Sequence, residues 1–164
     1  GVGSFSFCKS KLFENTSLFK ALYDRVIERK KPFLGICVGM QLLATTGNEG
    51  QRNNSGLNWI SGEVKKISVD KCFKIPHMGW NCLNFNKFHP LFKDIHIDEH
   101  FYFVHSYEFN SYSASEVVAT TNHGKEIVAA IAKENLVGLQ FHPEKSQYPG
   151  LKIIRNFIEW DPMR

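Results

Sequence analysis

Apolar side chains at positions 18, 19, 22, 23, 26 and 27, with Lys20, Asp24, Arg25, Glu28 and Arg29 between them, draw one buried helical face along residues 18–30. Pro32 ends that helix. Residues 33–36 (FLGI) are too few for a helix and follow a proline, so they read as a short strand buried on both faces. Residues 38–44 return to helix-like composition, and helix, buried strand and helix in succession describe an α/β unit with a parallel strand at its middle. Residues 46–56, rich in Gly, Asn and Thr, read as loop. Residues 62–69 are strand-like, with 73–75 as their expected partner, and 89–93 predict a short helical turn. Residues 101–104, 117–121, 127–132 and 136–141 are further strands, of which 127–132 is apolar enough on both sides to be central. Apolar positions 151, 154, 157 and 158 restore the helical period and predict a closing helix over 150–160 that covers the sheet.

At 164 residues and 43% hydrophobic, the chain supports one sizeable core, so a single domain spanning 1–164 is expected. The net charge of +4 is spread among acids rather than gathered into a stripe, and its densest patch, ERKK at 28–31, fits the solvated end of a helix. Nucleic-acid binding is not expected from such a pattern. Cysteines at 8, 37, 72 and 82 match no zinc spacing, and a core this apolar needs no staples, so reduced thiols and a cytoplasmic location are expected. No stretch has the length of a membrane span, and no membrane association is expected.

Within the helix-strand-helix unit, Gly35-Ile36-Cys37-Val38-Gly39 places a thiol at the end of a buried strand, immediately before a helix. Ligands of open α/β sheets bind outside the carboxyl ends of such strands. A turn made within one residue crowds the backbone two positions away, where Gly35 and Gly39 lack the Cβ, as in the nucleophile elbow of hydrolases. The N–H groups of the following helix are expected to lower the thiol pKa toward neutrality, and the Val38 N–H to serve as an oxyanion donor. The plainer reading is a small buried core residue.

A thiol nucleophile needs an imidazole, and the imidazole needs a partner that fixes its tautomer. Of the seven histidines, His142 has the best context, because it ends the apolar run 136–141 and is followed by Pro143 and Glu144. In an extended segment Glu144 projects to the same side as His142. Cys37, His142 and Glu144 therefore form a coherent Cys-His-Glu set. A metal site from His96, His100 and His105 is disfavoured, since Pro90 and Asp94 argue against the helix that would pair the first two.

PFLGICVGMQLL, GLQFHPEKS and the following GLKIIRNF resemble the nucleophile and His-Glu segments of class I glutamine amidotransferases. PHMGWN at 76–81, FVHSY at 103–107 and GVG at 1–3 resemble, more narrowly, the glutaminase subunits of imidazole glycerol phosphate synthases. The resemblance implies an α/β fold of three layers, with helices flanking a mostly parallel central sheet that carries some antiparallel strands. It implies hydrolysis of L-glutamine to glutamate and ammonia through a γ-glutamyl thioester, with Cys37 as nucleophile, His142 as acid and base, and Glu144 as its orienting group. No cofactor and no metal is implied.

Carried over by position, Gly35, Gln41, Ser106 and Tyr107 would bind the substrate, and the Val2 N–H would join that of Val38 in the oxyanion hole. Pro76, His77, Met78, Gly79, Trp80 and Asn81 would form an exposed recognition loop against a partner, implied to be a cyclase subunit with a (β/α)₈ barrel. The two would form a heterodimer that passes ammonia internally in histidine biosynthesis. The family's usual strand-helix-strand before the GVG segment has no counterpart here, and Asn58 stands where the family often has glycine. A paralogous branch that amidinates bacterial surface sugars fits the same motifs. A free-standing cysteine hydrolase and an interaction module with an impaired site are the remaining alternatives.

Overall fold

A computed structural model describes residues 2–50 and 54–163. Gly1 of the GVG segment and residues 51–53 of the predicted loop lie outside the described residues. Two helices open the fold, α1 (Phe5–Glu14) and α2 (Thr16–Tyr23), the latter continued by a π-helical turn at Asp24–Glu28. Ser4 accepts from the Phe7 N–H and Asn15 from the Leu18 N–H, so each helix starts on a side-chain cap. Then come β1 (Phe33–Ile36), a single turn α3 (Val38–Gln41), and the short strands β2 (Thr46–Gly47) and β3 (Asn54–Ser55). They are followed by β4 (Gly62–Lys66), β5 (His77–Cys82), β6 (Asn84–Phe85), β7 (His100–His105) and β8 (Tyr107–Ser111). The chain closes with β9 (Val117–Asn122), β10 (Glu126–Lys133), β11 (Leu136–Leu139) and α4 (Gln147–Glu159).

The strands form a five-stranded sheet in the order β1-β11-β10-β9-β6, a four-stranded sheet β3-β2-β4-β8, and the pair β5-β7. β1 runs parallel to β11, with Ile36 opposite Leu139. The architecture is α/β with helices on the sheet faces, as expected, but the strand balance departs from a mostly parallel sheet. Among the described strands only β1-β11 and β2-β4 pair in parallel. The cause is local: β9, β10 and β11 follow one another through connections too short for a crossover, so they must alternate in direction.

β11 separates two cores. Leu136 packs with Phe5, Val38, Met40 and Ile131 on one face, while Val137, Leu139 and Phe141 pack with Phe101, Phe103 and Ile153 on the other. Gly138 has no room for a side chain, since a Cβ there would lie 2.6 Å from Met40 Cγ. That alternation sets α3 on one side of the sheet and α4 on the other, with β10 central as its composition predicts.

Other expectations are corrected. β4 pairs with β8 and not with 73–75, which form no strand. The helix expected over 38–44 stops after Gln41. Asn58 has φ 56°, a left-handed conformation that asparagine tolerates better than most residues and glycine best.

Candidate active site

The parallel β1-β11 register brings the carboxyl ends of both strands to the same edge. Cys37 follows Ile36 there, anchored by its own N–H donating to the Leu139 carbonyl at 2.7 Å, and His142 stands three residues beyond Leu139. At Cys37 the chain turns through φ 53°, ψ −110° directly into α3. Such a positive φ in a non-glycine residue is strained and concentrates at functional sites. Gly35 makes the turn possible, because a Cβ there would stand 2.6 Å from the Gly39 carbonyl oxygen and 2.8 Å from Met40 N.

Cys37, Val38 and His142 line one cavity of about 310 Å³ with Val2, Gly3, Gln41, Glu49, Pro76, Val104, His105, Ser106 and Tyr107. That size is at the small end for ligand pockets. His142 is fully buried; its Nδ1 is 2.6 Å from Glu144 Oε1, so Nδ1 carries the proton toward the carboxylate. Its Nε2 is buried and finds no hydrogen-bond partner among the described residues. A buried imidazole nitrogen left unpaired is expensive, and on a cavity wall it is a receptor for a proton. Burial works against ionised Glu144, but the hydrogen bond from His142 prevails and holds its carboxyl below the usual range.

The expected lowering of the Cys37 pKa is overturned. Burial pushes the thiol up; the Val38 N–H, directed at the sulfur, opposes this without prevailing, and the charges of Glu144 and Glu49 add to the rise. The physical reason is that α3 is one turn of four residues and offers little helix dipole, whereas the cysteine is 8% exposed. Burial therefore favours the protonated thiol of Cys37.

Among the expected substrate residues, Gln41, Ser106 and Tyr107 reach the cavity and Gly35 does not; its part is to permit the elbow. Gln41 is buried, with Nε2 donating to the Tyr107 carbonyl and to Gln140 Oε1, each at 3.1 Å. Val2 and Gly3 also line the cavity. Gly3 has φ 132°, and a Cβ there would meet Cys8 Sγ at 2.7 Å, so this position suits glycine alone.

Glu49 and Gln140 are the residues that sequence reasoning missed. Glu49 places a carboxylate on the cavity wall and accepts from the Phe5 N–H at 2.7 Å. Its only sequence signal is an acid within a Gly- and Asn-rich loop. Gln140 donates to Cys37 Sγ at 3.7 Å, and its signal was adjacency to His142.

The segment 76–81 is not an exposed loop but mostly the strand β5, paired antiparallel to β7. Its alternation splits the expected interface. Met78 (61% exposed) and Trp80 (48%) face outward, while His77 is buried and Pro76 lines the cavity. Gly79 has open space where a Cβ would stand. Asn81 donates to the Asn122 carbonyl at 2.8 Å. Trp80 packs edge-on against Tyr102, over which lies the Lys145 ammonium, so this outer face adjoins Glu144.

Fold, elbow and paired imidazole define a class of cysteine-dependent amidotransferases, and the profile of the glutamine amidotransferase class-I family matches residues 12–160. The chain belongs to that family. It is 48% identical over 164 residues to the imidazole glycerol phosphate synthase subunit HisH of Rhodospirillum rubrum and 47% identical over 163 residues to that of Caulobacter vibrioides. It is 44% identical to the same subunit of Ruegeria pomeroyi, covering 99% of this chain and 76% of each of the three relatives. Among solved structures, a glutamine amidotransferase superposes with a TM-score of 0.63 at 19% identity, over 91% of this chain and 70% of that one. One from Thermotoga maritima superposes with a TM-score of 0.59 at 18% identity, over 99% of this chain and 64% of the other, slightly under two thirds of its length.

Proposed function

We propose that this chain is the glutaminase subunit of an imidazole glycerol phosphate synthase. The observation that carries the reading is the buried, unpartnered Nε2 of His142 on the wall of the cavity that also holds the Cys37 sulfur, with Nδ1 held by Glu144. L-Glutamine enters with its ammonium toward the Glu49 carboxylate and its carboxylate toward the backbone at Ser106 and Tyr107; Gln41 closes the pocket between them. His142 Nε2 takes the proton of the Cys37 thiol as the sulfur attacks the carboxamide carbon. The oxyanion is held by the N–H groups of Val38 and Val2, one such donor being worth about 3 kcal/mol. The imidazolium returns its proton to the nitrogen as the carbon–nitrogen bond breaks, so ammonia departs and the γ-glutamyl group stays on the Cys37 sulfur as a thioester. A water deprotonated by Nε2 then cleaves the thioester, releasing glutamate and restoring the thiol.

Ammonia would pass to a cyclase subunit with a (β/α)₈ barrel, bound as a heterodimer against Met78 and Trp80. Passage within the complex keeps the nitrogen nucleophilic, because ammonia released into neutral water becomes ammonium. Relatives named for this synthase, at 44–48% identity, support the histidine pathway over surface-sugar amidination, and a cytoplasmic location is part of the same reading. The test is glutamate release by the complex with glutamine and acceptor. The wild type should turn over and Cys37→Ala should not, and undiminished activity in that variant would end the reading.

A further inference from the structure

The sulfur of Cys37 has a hydrogen-bond donor behind it, on the side away from the cavity. Gln140 is fully buried, does not line the cavity, and has Nε2 3.7 Å from Cys37 Sγ. Whether a carboxamide presents its nitrogen or its oxygen to a sulfur decides whether it attracts or repels a thiolate. Here the surrounding hydrogen bonds fix that choice from a distance.

The ordering of Gln140 starts at the Tyr107 carbonyl, and a second set of bonds running from Asn81 fixes two histidines, His77 and His105, the latter of which meets the same carbonyl. Asn81 Oδ1 accepts from the Cys82 N–H at 2.9 Å and its Nδ2 donates to the Asn122 carbonyl at 2.8 Å, which sets the amide orientation. That Nδ2 lies 3.3 Å from His77 Nε2, which must accept. His77 Nδ1 then bears the hydrogen and donates to His105 Nε2 at 3.0 Å. His105 Nδ1, 2.8 Å from the Tyr107 carbonyl, must also bear one, since a carbonyl oxygen only accepts. Both rings are thus neutral with one tautomer each, in keeping with burial lowering the pKa of His77 to about 3 and of His105 to about 4. The Tyr107 carbonyl, pinned by His105, takes one hydrogen of Gln41 Nε2, and the other goes to Gln140 Oε1. With its oxygen occupied, Gln140 can present only N–H to the sulfur.

We propose that Gln140 is a further catalytic residue, a built-in N–H donor that stabilises the Cys37 sulfur as a thiolate while His142 holds its proton, and that the Tyr107 carbonyl, acting through Gln41, keeps it pointed that way. The role follows from the electrostatics of the attack. As the thiol proton moves to His142 Nε2, negative charge grows on a sulfur that burial has stripped of water, and an N–H already in place costs no reorganisation. When the carbon–sulfur bond forms, the charge moves to the carbonyl oxygen and the N–H···S bond relaxes. Gln140 stays with the sulfur, whereas the Val38 N–H, which also faces the sulfur at rest, follows the charge to the oxyanion as the bond forms. The proposal rests on Cys37 being the nucleophile.

The experiment is alkylation of Cys37 by iodoacetamide across pH in the full chain, resolved by peptide mass spectrometry, with exposed Cys72 as internal control. Gln140→Glu, which replaces the donor with an oxygen, should move the Cys37 midpoint upward by about one pH unit, a roughly tenfold slower reaction at neutral pH. Gln140→Met, similar in length but without a donor, should slow it about threefold by the same arithmetic. Cys72 should react at the wild-type rate in both. Should either variant fail to fold, the wild type still decides: the side-chain amide protons of Gln140, followed by NMR, should shift downfield as the thiol titrates. An unmoved Cys37 midpoint in the variants, or Gln140 amide resonances indifferent to thiol ionisation, overturns the proposal. Neither readout uses glutamine, so its failure is distinct from that of the glutaminase reading, which falls if Cys37→Ala retains turnover.

Discussion

Ile36 and Leu139 face each other across a parallel strand pair, and that single register delivers a thiol and an imidazole to one cavity. Each strand is four residues long, and each ends at the same edge. A shift of one residue in the register would put the two groups on opposite faces.

Glu144 orients His142 from a half-exposed position, so its contribution can be separated from stability. Glu144→Gln keeps the shape but no longer holds the Nδ1 proton against a charge. Its kcat for glutamine should fall by about 10²-fold or more while the thermal midpoint stays within a degree or two, because partly exposed pairs contribute little to stability. Stopped-time glutamate assays alongside scanning calorimetry check both halves.

Gly35→Ala forces a methyl group into the backbone of α3. Overpacking of this kind costs about 1–3 kcal/mol, and because the contact is with main chain at 2.6 Å it cannot be relieved by a side-chain rotation. Urea denaturation should show the loss, and Cys37 alkylation should lose its protection relative to Cys72. Unchanged stability would mean that the elbow is not held as described.

The His77–His105 pair predicts an acid-sensitive fold. Both folded pKa values, about 3 and about 4, lie below the ordinary 6.5, so the unfolded chain binds more protons between them. Stability contributed by the neutral pair is fully present above pH 6.5 and is lost as pH falls through 6.5 toward 3. His123 stacks on His77 at 4.3 Å and contributes to the lowering of the His77 pKa. His77→Gln should flatten the dependence of the thermal midpoint on pH over that range, with circular dichroism as the readout.

Trp80 is expected to anchor the cyclase partner. Trp80→Ala should weaken the complex by about 2 kcal/mol or more, as buried aromatic anchors do, with little change in the stability of the free chain. Calorimetric titration against the partner measures the first quantity and thermal unfolding the second.

Much of this was legible in the chain's patterning, and the failures have physical causes. Residues 33–36, 117–121, 127–132 and 136–139 are strands because their apolar side chains are buried, which a hydrophobic pattern detects. β5 inverts that pattern: His77 turns inward while Met78 and Trp80 face solvent, so it resembled a loop. β8 hides a buried Glu108 whose charge is answered by Lys125 at 2.5 Å, a partner that no local pattern reveals. α1 went unrecognised because only Phe5 of its ten residues is buried. Cys37, His142 and Glu144 stand out in the sequence because they sit beside glycine and proline landmarks, whereas Gln140 meets the sulfur through an orientation set by Gln41 and the Tyr107 carbonyl, distant in sequence. The thiol pKa was misjudged because sequence shows that a helix begins after Cys37 but not that it ends one turn later.

The central claim is that Cys37 attacks glutamine with His142 taking its proton. A chloroketone analogue of L-glutamine, incubated with the assembled complex and followed by peptide mass spectrometry, tests it most directly. The label should fall on Cys37, be excluded by excess L-glutamine, and be slowed at least tenfold in His142→Asn, about the smallest loss expected on removing a general base. Inactivation accompanied by label on Cys8, Cys72 or Cys82, with Cys37 unmodified, would contradict the account.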